Sequence, residues 1–256
     1  MSALAQRIGT MRGTHWLVLF ASILLAWGGL YAMALPDDLR AASRLYGAEF
    51  WQSLCVVTPD AAGFARIVLM WALMSFAMMA PTALPAFATY DDLSRSAPEA
   101  RFLPLVAGYM AVWLGFSLLA AGAQMVLYRA GIVSALGDSR VAWFSALLLA
   151  GAGLYQFSPL KAACLAKCRL PLTFFMQHWD EGPWKNGLRL GAVCLGCCWA
   201  LMTLAFVGGV MNIAFMGLAT LLMALEKLPD LGHWLTRPLG AVLIGTAIWL
   251  AASPVI

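Results

Sequence analysis

The sequence predicts an all-α membrane protein, a polytopic bundle of about seven transmembrane helices in which residues 1–256 form a single integral membrane domain. Of its 256 residues, 62% are hydrophobic and 11% are charged, whereas soluble domains average ~45–50% apolar and ~25% charged residues. The mean hydropathy is +0.82. These values exclude an ordinary soluble enzyme, a disordered tail and a nucleic-acid-binding arm. At about 20 apolar residues per crossing, the length leaves little room for a separate soluble domain.

Long apolar runs with few or no charges define the predicted helices. The second run contains Pro81 and Pro85, which membrane helices tolerate when neighbouring groups satisfy the freed carbonyl oxygens. The first run is too long for the apolar part of a cleavable signal, so we interpret it as a retained anchor. The runs are 15–35, 67–90, 102–128, 141–159, 190–225 and 239–256.

Two of these runs decide the number of spans. Residues 190–225 carry no charge, and at about 1.5 Å of rise per residue this run is too long for one crossing. The glycines and polar residue at 208–212 therefore predict a tight turn between two helices, which makes seven spans. Because 239–256 is the shortest run, six spans remain the alternative if it lies on the membrane surface.

The distribution of basic residues predicts the orientation of the bundle. With the N-terminus in the cytoplasm, the inner segments hold eleven of the sixteen Lys and Arg residues and the outer segments hold five. Lys and Arg are enriched in cytoplasmic loops. We therefore expect a cytoplasmic N-terminus and an external C-terminus.

Cysteines provide the strongest chemical signal in the chain. Cys164 and Cys168 form one pair, and Cys194 and Cys198 form another, with Cys197 beside it. Residues four apart lie on the same face of a helix. Both groups fall near the predicted cytoplasmic ends of their helices, so packing of these helices would gather four or five thiols.

Two interpretations of these thiols remain open. Cysteine packs as a small apolar residue in helix interfaces, but five cysteines in two same-face groups favour metal or redox chemistry. Disulfides are disfavoured on a reducing cytoplasmic side, and the spacing differs from the paired C-x2-C of common zinc ribbons. Cys55 is the sixth cysteine, and we assign it no metal role.

Methionines indicate which metal the thiols would hold. Met74 and Met78 lie on one face of the second predicted span with Met79 adjacent, and Met202 and Met211 lie in or near the fifth and sixth spans. Thioether and thiolate ligands select Cu(I) over hard cations. A methionine stripe in a membrane helix also serves for packing or lipid contact. Beside the cysteines, it favours copper as the cofactor, with another soft metal as the alternative.

Few polar residues occur near the predicted spans, and two deserve separate interpretation. His178 lies in a basic inner loop, where it is either a nitrogen ligand or an interfacial residue beside Trp179. Glu226 ends the sixth predicted span and is either functional or a boundary residue paired with Lys227.

One further pattern concerns helix packing. Gly187 and Gly191 form a GxxxG motif that Gly196 extends, which predicts close helix approach near Cys194. We find no phosphate-binding glycine loop, no Ser/His/Asp constellation and no paired intramembrane carboxylates. The sequence therefore argues against an ATP-driven pump, a hydrolase and a typical proton relay, and it favours a binding protein over an enzyme.

Several of these segments resemble one bacterial family, described as predicted metal-binding integral membrane proteins. The matching stretches lie at 71–81, 155–171, 194–202, 209–212 and 226–227, and Cys-Leu-Gly-Cys-Cys-Trp at 194–199 is the most specific. The resemblance covers residues 66–227 and leaves the first and last predicted helices outside. It implies a metal-binding protein of the bacterial inner membrane, but it names neither metal nor reaction.

The sequence therefore predicts Cu(I) binding through clustered Cys and Met residues, for copper handling or delivery to a membrane enzyme. The alternatives are a membrane thiol–disulfide carrier and a non-catalytic accessory subunit of a larger membrane complex. The expected partners are membrane lipid and a membrane protein or complex, and no nucleic acid. The predicted ligands are Cys164, Cys168, Cys194, Cys197, Cys198, Met74, Met78, Met79, Met202, Met211 and His178.

Overall fold

A computed structural model describes residues 13–35, 54, 56–58, 60–95 and 101–253. The regular elements in this part of the chain are all helices, and it contains no β-strand, which confirms the all-α prediction. Cys55 and residues 1–12 lie outside the described residues. The helices are α1 (Thr14–Ala34), α2 (Ala61–Ser94), α3 (Phe102–Arg129), α4 (Ala142–Tyr155), α5 (Pro159–Arg169), α6 (Pro171–His178), a 3₁₀ turn (Trp179–Glu181), α7 (Gly182–Thr203), α8 (Ala205–Gly208), α9 (Ile213–Glu226) and α10 (Gly232–Ala252).

Five helical segments in the described part are long and apolar enough to cross a membrane. They are α1, α2, α3, the segment Pro171–Gly208 that contains α7, and α10. The shorter apolar helices α4 and α9 coincide with the fourth and sixth predicted spans. Seven crossings and a cytoplasmic N-terminus stay predictions.

Helix α2 continues through Pro81, where a side chain of another helix binds the freed backbone oxygen. Pro81 has no N–H to donate to the carbonyl oxygen of Ala77, and Trp27 Nε1 of α1 donates to that oxygen at 2.9 Å instead.

At the start of α2, Asp60 accepts from the Gly63 amide at 2.9 Å. Hydrogen bonds from Thr58 and Gly63 hold the pKa of Asp60 below its usual range.

The predicted break in the uncharged run 190–225 is confirmed. Helix α7 ends at Thr203, and the single turn α8 leads to Gly209, whose φ of +95° is accessible to glycine at little cost. Asn212 then begins α9, and its side-chain oxygen accepts from the Phe215 amide at 3.1 Å. This turn separates α7, which carries Cys194, from α9.

Helices α4 and α10 have different bounds from the fourth and last apolar runs that predicted them. Helix α4 stops at Tyr155, and Ser158 caps a separate helix α5 by accepting from the Lys161 amide at 3.1 Å. Cys164 and Cys168 therefore lie on α5. Helix α10 begins at Gly232, earlier than the apolar run starting at 239 suggested.

Glycines allow the close contact between α3 and α7. A Cβ on Gly187 would meet the backbone oxygen of Leu105, and one on Gly191 would lie 2.9 Å from the backbone oxygen of Tyr109. A Cβ on Gly108 of α3 would meet the backbone oxygen of Trp184. The predicted close approach is therefore present, and it brings Tyr109 to the level of the cysteines of α7.

Candidate metal centre

Three cysteines of α7 form a buried sulfur cluster, which we call the thiol triad. Its members are Cys194, Cys197 and Cys198, each 1% exposed. Their Sγ atoms all lie within 4.8 Å of one another. The Sγ atoms of Cys197 and Cys198 are 3.2 Å apart, so the C-x2-C-C spacing on one helix is enough to gather three thiols.

Residues of three other helices surround Cys194. Lys227, at the end of α9, donates from Nζ to Cys194 Sγ at 3.0 Å and to Thr82 Oγ1 of α2 at 2.6 Å. The Tyr109 hydroxyl of α3 lies 3.0 Å from Cys194 Sγ and 3.1 Å from the carbonyl oxygen of Met79. The sulfur of Cys194 thus meets one buried ammonium and one buried hydroxyl.

Helix α5 brings the other two predicted cysteine ligands towards the triad. Cys168 Sγ lies 4.0 Å from Cys197 Sγ, and it is only partly buried. Cys164 packs against α7 at Gly196, where a Cβ on that glycine would lie 2.6 Å from Cys164 Sγ. Cys168 therefore adjoins the triad, whereas Cys164 lies beside its helix.

A buried ion pair fixes α5 against α9. Lys161 Nζ and Glu226 Oε2 are 2.8 Å apart, and both side chains are 1% exposed. Arg169 donates from Nε and Nη2 to the Glu226 carbonyl oxygen at 3.0 and 2.8 Å. The pairing of Glu226 with Lys227 that its position suggested is wrong, because Lys161 is the partner of Glu226 and Lys227 contacts Cys194.

A narrow cavity of about 50 Å³ borders the triad. Cys168, Cys194, Tyr109 and Lys227 are among its lining residues. It exceeds the space that one water molecule needs. The cavity therefore gives a small ion room beside Cys194.

Four predicted methionine ligands lie in the core. Met74, Met78 and Met79 of α2 and Met202 of α7 are all buried. Of these, Met79 is tied to the site through its carbonyl oxygen, which the Tyr109 hydroxyl contacts.

The two remaining predicted ligands, Met211 and His178, lie outside α7. Met211 lies in the turn before α9, and Lys227 directly follows the opposite end of this helix. His178 ends α6, where its Nδ1 pairs with the Phe174 carbonyl oxygen at 2.8 Å. The His178 carbonyl oxygen accepts from Asn186 at 2.9 Å.

The donor set of the triad fits a soft metal ion. Two sulfurs bound to one ion at about 2.3 Å are at most about 4.6 Å apart, so the observed spacing requires shifts of only a few tenths of an ångström. The three candidate ligand atoms are all sulfur, and no carboxylate or imidazole of the described residues belongs to the cluster. Thiolate ligands favour Cu(I) and other soft ions and disfavour Mg²⁺ and Ca²⁺.

The comparison with known families agrees with this chemistry. The sequence pattern of a copper chaperone family, PpoB2, matches residues 68–250. The chain belongs to this family. The match includes the triad, Cys168 and most of α10, so it extends beyond the region 66–227 that carried the resemblance. No curated protein and no solved structure matches the chain. Membership of a copper chaperone family and the triad together support copper-related metal binding.

Sequence reasoning did not identify two groups that contact Cys194. Lys227 carried a usable signal, since an ionisable residue near membrane depth is a functional candidate. Tyr109 carried none, because one tyrosine in an apolar run gives no sign that its hydroxyl meets a thiol on another helix.

Proposed function

We propose that the protein binds Cu(I) at the thiol triad within the membrane and delivers it to a membrane enzyme. The observation that carries the proposal is the approach of three buried sulfurs, Cys194, Cys197 and Cys198, to within 4.8 Å. The family match supports copper as the metal. Copper is here the cargo, and the protein supplies soft ligands shielded from water.

Lys227 contributes charge balance to this site. Thiols bind a metal as thiolates, and several thiolates around one Cu(I) leave a net negative charge. A charge of this kind is costly in an apolar interior. The Lys227 ammonium, 3.0 Å from Cys194 Sγ, offsets part of it.

Cys168 provides the route into and out of the triad. It is partly exposed, it borders the narrow cavity, and its sulfur is 4.0 Å from Cys197 Sγ. Cu(I) bound first by Cys168 then passes to Cys197 by exchange of one thiolate for another. Each thiol that binds releases its proton, and no electron is transferred.

Burial favours this function over thiol–disulfide exchange. A partner disulfide must reach the attacking sulfur, and the three triad sulfurs belong to residues that are 1% exposed. A metal ion passes through a smaller opening than a protein disulfide does.

Metal analysis of the purified protein tests the proposal. We expect copper to copurify with the wild-type chain under reducing conditions and to be lost from a Cys194→Ser/Cys197→Ser/Cys198→Ser variant. Cys55→Ser is the matched control and should keep its copper. Cys168→Ser should reach the same final copper content more slowly when the metal-free protein is loaded.

Helical circular dichroism establishes that each variant is folded. Retention of copper by the folded triple variant would refute the triad as the site. Absence of copper from wild-type protein that cannot be loaded with Cu(I) would refute the function.

A further inference from the structure

A second cavity, separate from the thiol triad, lies where α4, α5 and α10 meet. Its volume is about 430 Å³. The junction of α4 and α5 forms one wall, and the first turns of α10 form the other. Its lining residues are Gln156, Phe157, Ser158, Ala162, Leu165, Arg169, His233, Thr236 and Arg237.

Gln156 is the unusual member of this lining. The residue is 4% exposed, yet both its Nε2 and Oε1 atoms are buried without a hydrogen-bond partner. Leaving a buried polar group unsatisfied costs about 1–3 kcal/mol. The close crossing of α4 and α10 keeps it there, because a Cβ on Gly240 would lie 2.8 Å from Gln156 Cβ.

The charge around this amide is positive. Arg237 is exposed, and it has no ion pair or hydrogen bond within the described part of the chain. Arg169 uses Nε and Nη2 for the Glu226 carbonyl oxygen, and this leaves its Nη1 available. None of the described residues lining the cavity is acidic. The N-terminal end of α10 adds the positive end of a helix dipole.

We propose that this cavity binds a phosphate group. Arginine binds phosphate oxygens through charge-assisted hydrogen bonds, and the Gln156 amide, buried in the cavity wall, donates a further hydrogen bond once its side chain turns towards the phosphate. Water solvates the exposed Arg237, but it does not link this residue to the other donors of the cavity. An anion with several acceptor oxygens binds Arg237, Arg169 Nη1 and the Gln156 amide together.

The surroundings of the cavity indicate where the phosphate comes from. Phe157 and Trp234 are 51% and 73% exposed beside the basic residues, as aromatic residues are at the edge of a membrane. The predicted orientation places this end on the cytoplasmic side, where basic pockets between helices bind anionic lipid headgroups. A phospholipid headgroup and free phosphate share the recognised chemistry, and the experiment separates them.

Thermal stability and native mass spectrometry of the full chain in a neutral detergent test the proposal. Phosphatidylglycerol, phosphatidylcholine and inorganic phosphate are added separately. We expect phosphatidylglycerol to bind and to raise the melting temperature, and Arg237→Gln to weaken this binding about tenfold, equivalent to one lost charge-assisted hydrogen bond. Lys185→Gln removes the same charge from an exposed residue outside the cavity and should bind like the wild type.

Gln156→Leu is the second variant, and it keeps the test independent of misfolding. Because it removes an unpartnered buried amide, the ligand-free protein should be as stable as the wild type or more stable, while the stabilisation by phosphatidylglycerol declines. Binding of inorganic phosphate that depends on Arg237 also supports the site and assigns it to free phosphate. Absence of binding by all three additives, or equal binding by Arg237→Gln and Lys185→Gln, would overturn the proposal.

Discussion

Glu226 and Lys227 are neighbours in the sequence, yet their side chains contact different helices. Glu226 pairs with Lys161 and so holds α5, the helix of Cys168. Lys227 donates to Cys194 on α7. The end of α9 therefore contacts both α5, through Glu226, and α7, through Lys227.

The charge of Lys227 leads to a prediction about copper affinity. Lys227→Met keeps the apolar stem but removes the ammonium, so thiolates at the triad lose a charge-assisted hydrogen bond worth about 1.5–3 kcal/mol. We expect Cu(I) affinity to decrease about tenfold or more, measured by competition with a Cu(I) chelator. Lys185→Met, at an exposed position away from the triad, should leave the affinity unchanged. Equal affinities of both variants and wild type would exclude a role for Lys227 in copper binding.

At the scale of elements, the seam between α3 and α7 decides where the triad lies. In a bilayer the hydrophobic effect does not drive helices together, so close contact between small residues contributes more of the association energy. Gly108 and Gly187 let the two backbones touch. This contact brings the Tyr109 hydroxyl within 3.0 Å of Cys194 Sγ.

A methyl group in this seam should separate the helices. Gly187→Ala places a Cβ against the backbone oxygen of Leu105, and we expect a loss of about 1–3 kcal/mol of stability together with a lower copper content. Gly115→Ala is the control on α3, because a Cβ there meets nothing within 4 Å. Thermal unfolding in detergent measures both variants. If the two melted alike, the seam would not be the determinant of site geometry.

At the scale of the whole molecule, the centre joins helices that are distant in the chain. Thr82 comes from α2, Tyr109 from α3, Cys168 from α5, the triad from α7 and Lys227 from α9. The surroundings of a metal at the triad therefore depend on residues of all five helices, which come together only in the folded bundle. Metal binding to the folded state alone raises the free energy of unfolding.

Removal of the metal should therefore lower the stability of the entire bundle. With free Cu(I) about 100-fold above its Kd, the expected gain is about 2.7 kcal/mol, seen as a higher melting temperature than in chelator-treated protein. The Cys194→Ser/Cys197→Ser/Cys198→Ser variant should show no such difference, whereas Cys55→Ser should behave like the wild type. A copper-dependent shift that survives in the triple variant would place the metal elsewhere.

Local features of the sequence determined the helical membrane architecture and the soft donor set. Run lengths, the turn before Asn212 and the spacing of Cys194, Cys197 and Cys198 depend only on the rise and periodicity of a helix, so they are visible in the sequence. The seven-span count and the membrane orientation stay predictions from charge and length.

Tertiary packing alone decided the partners of the site. Two contacts join residues more than 30 positions apart: Lys227 with Cys194, and Glu226 with Lys161. The basic cavity that Gln156 lines forms where helices cross. Sequence spacing defines which side chains share a helix face. It does not define which other helix that face meets, because that depends on glycine seams, buried charges and cavities that exist only once the bundle is assembled.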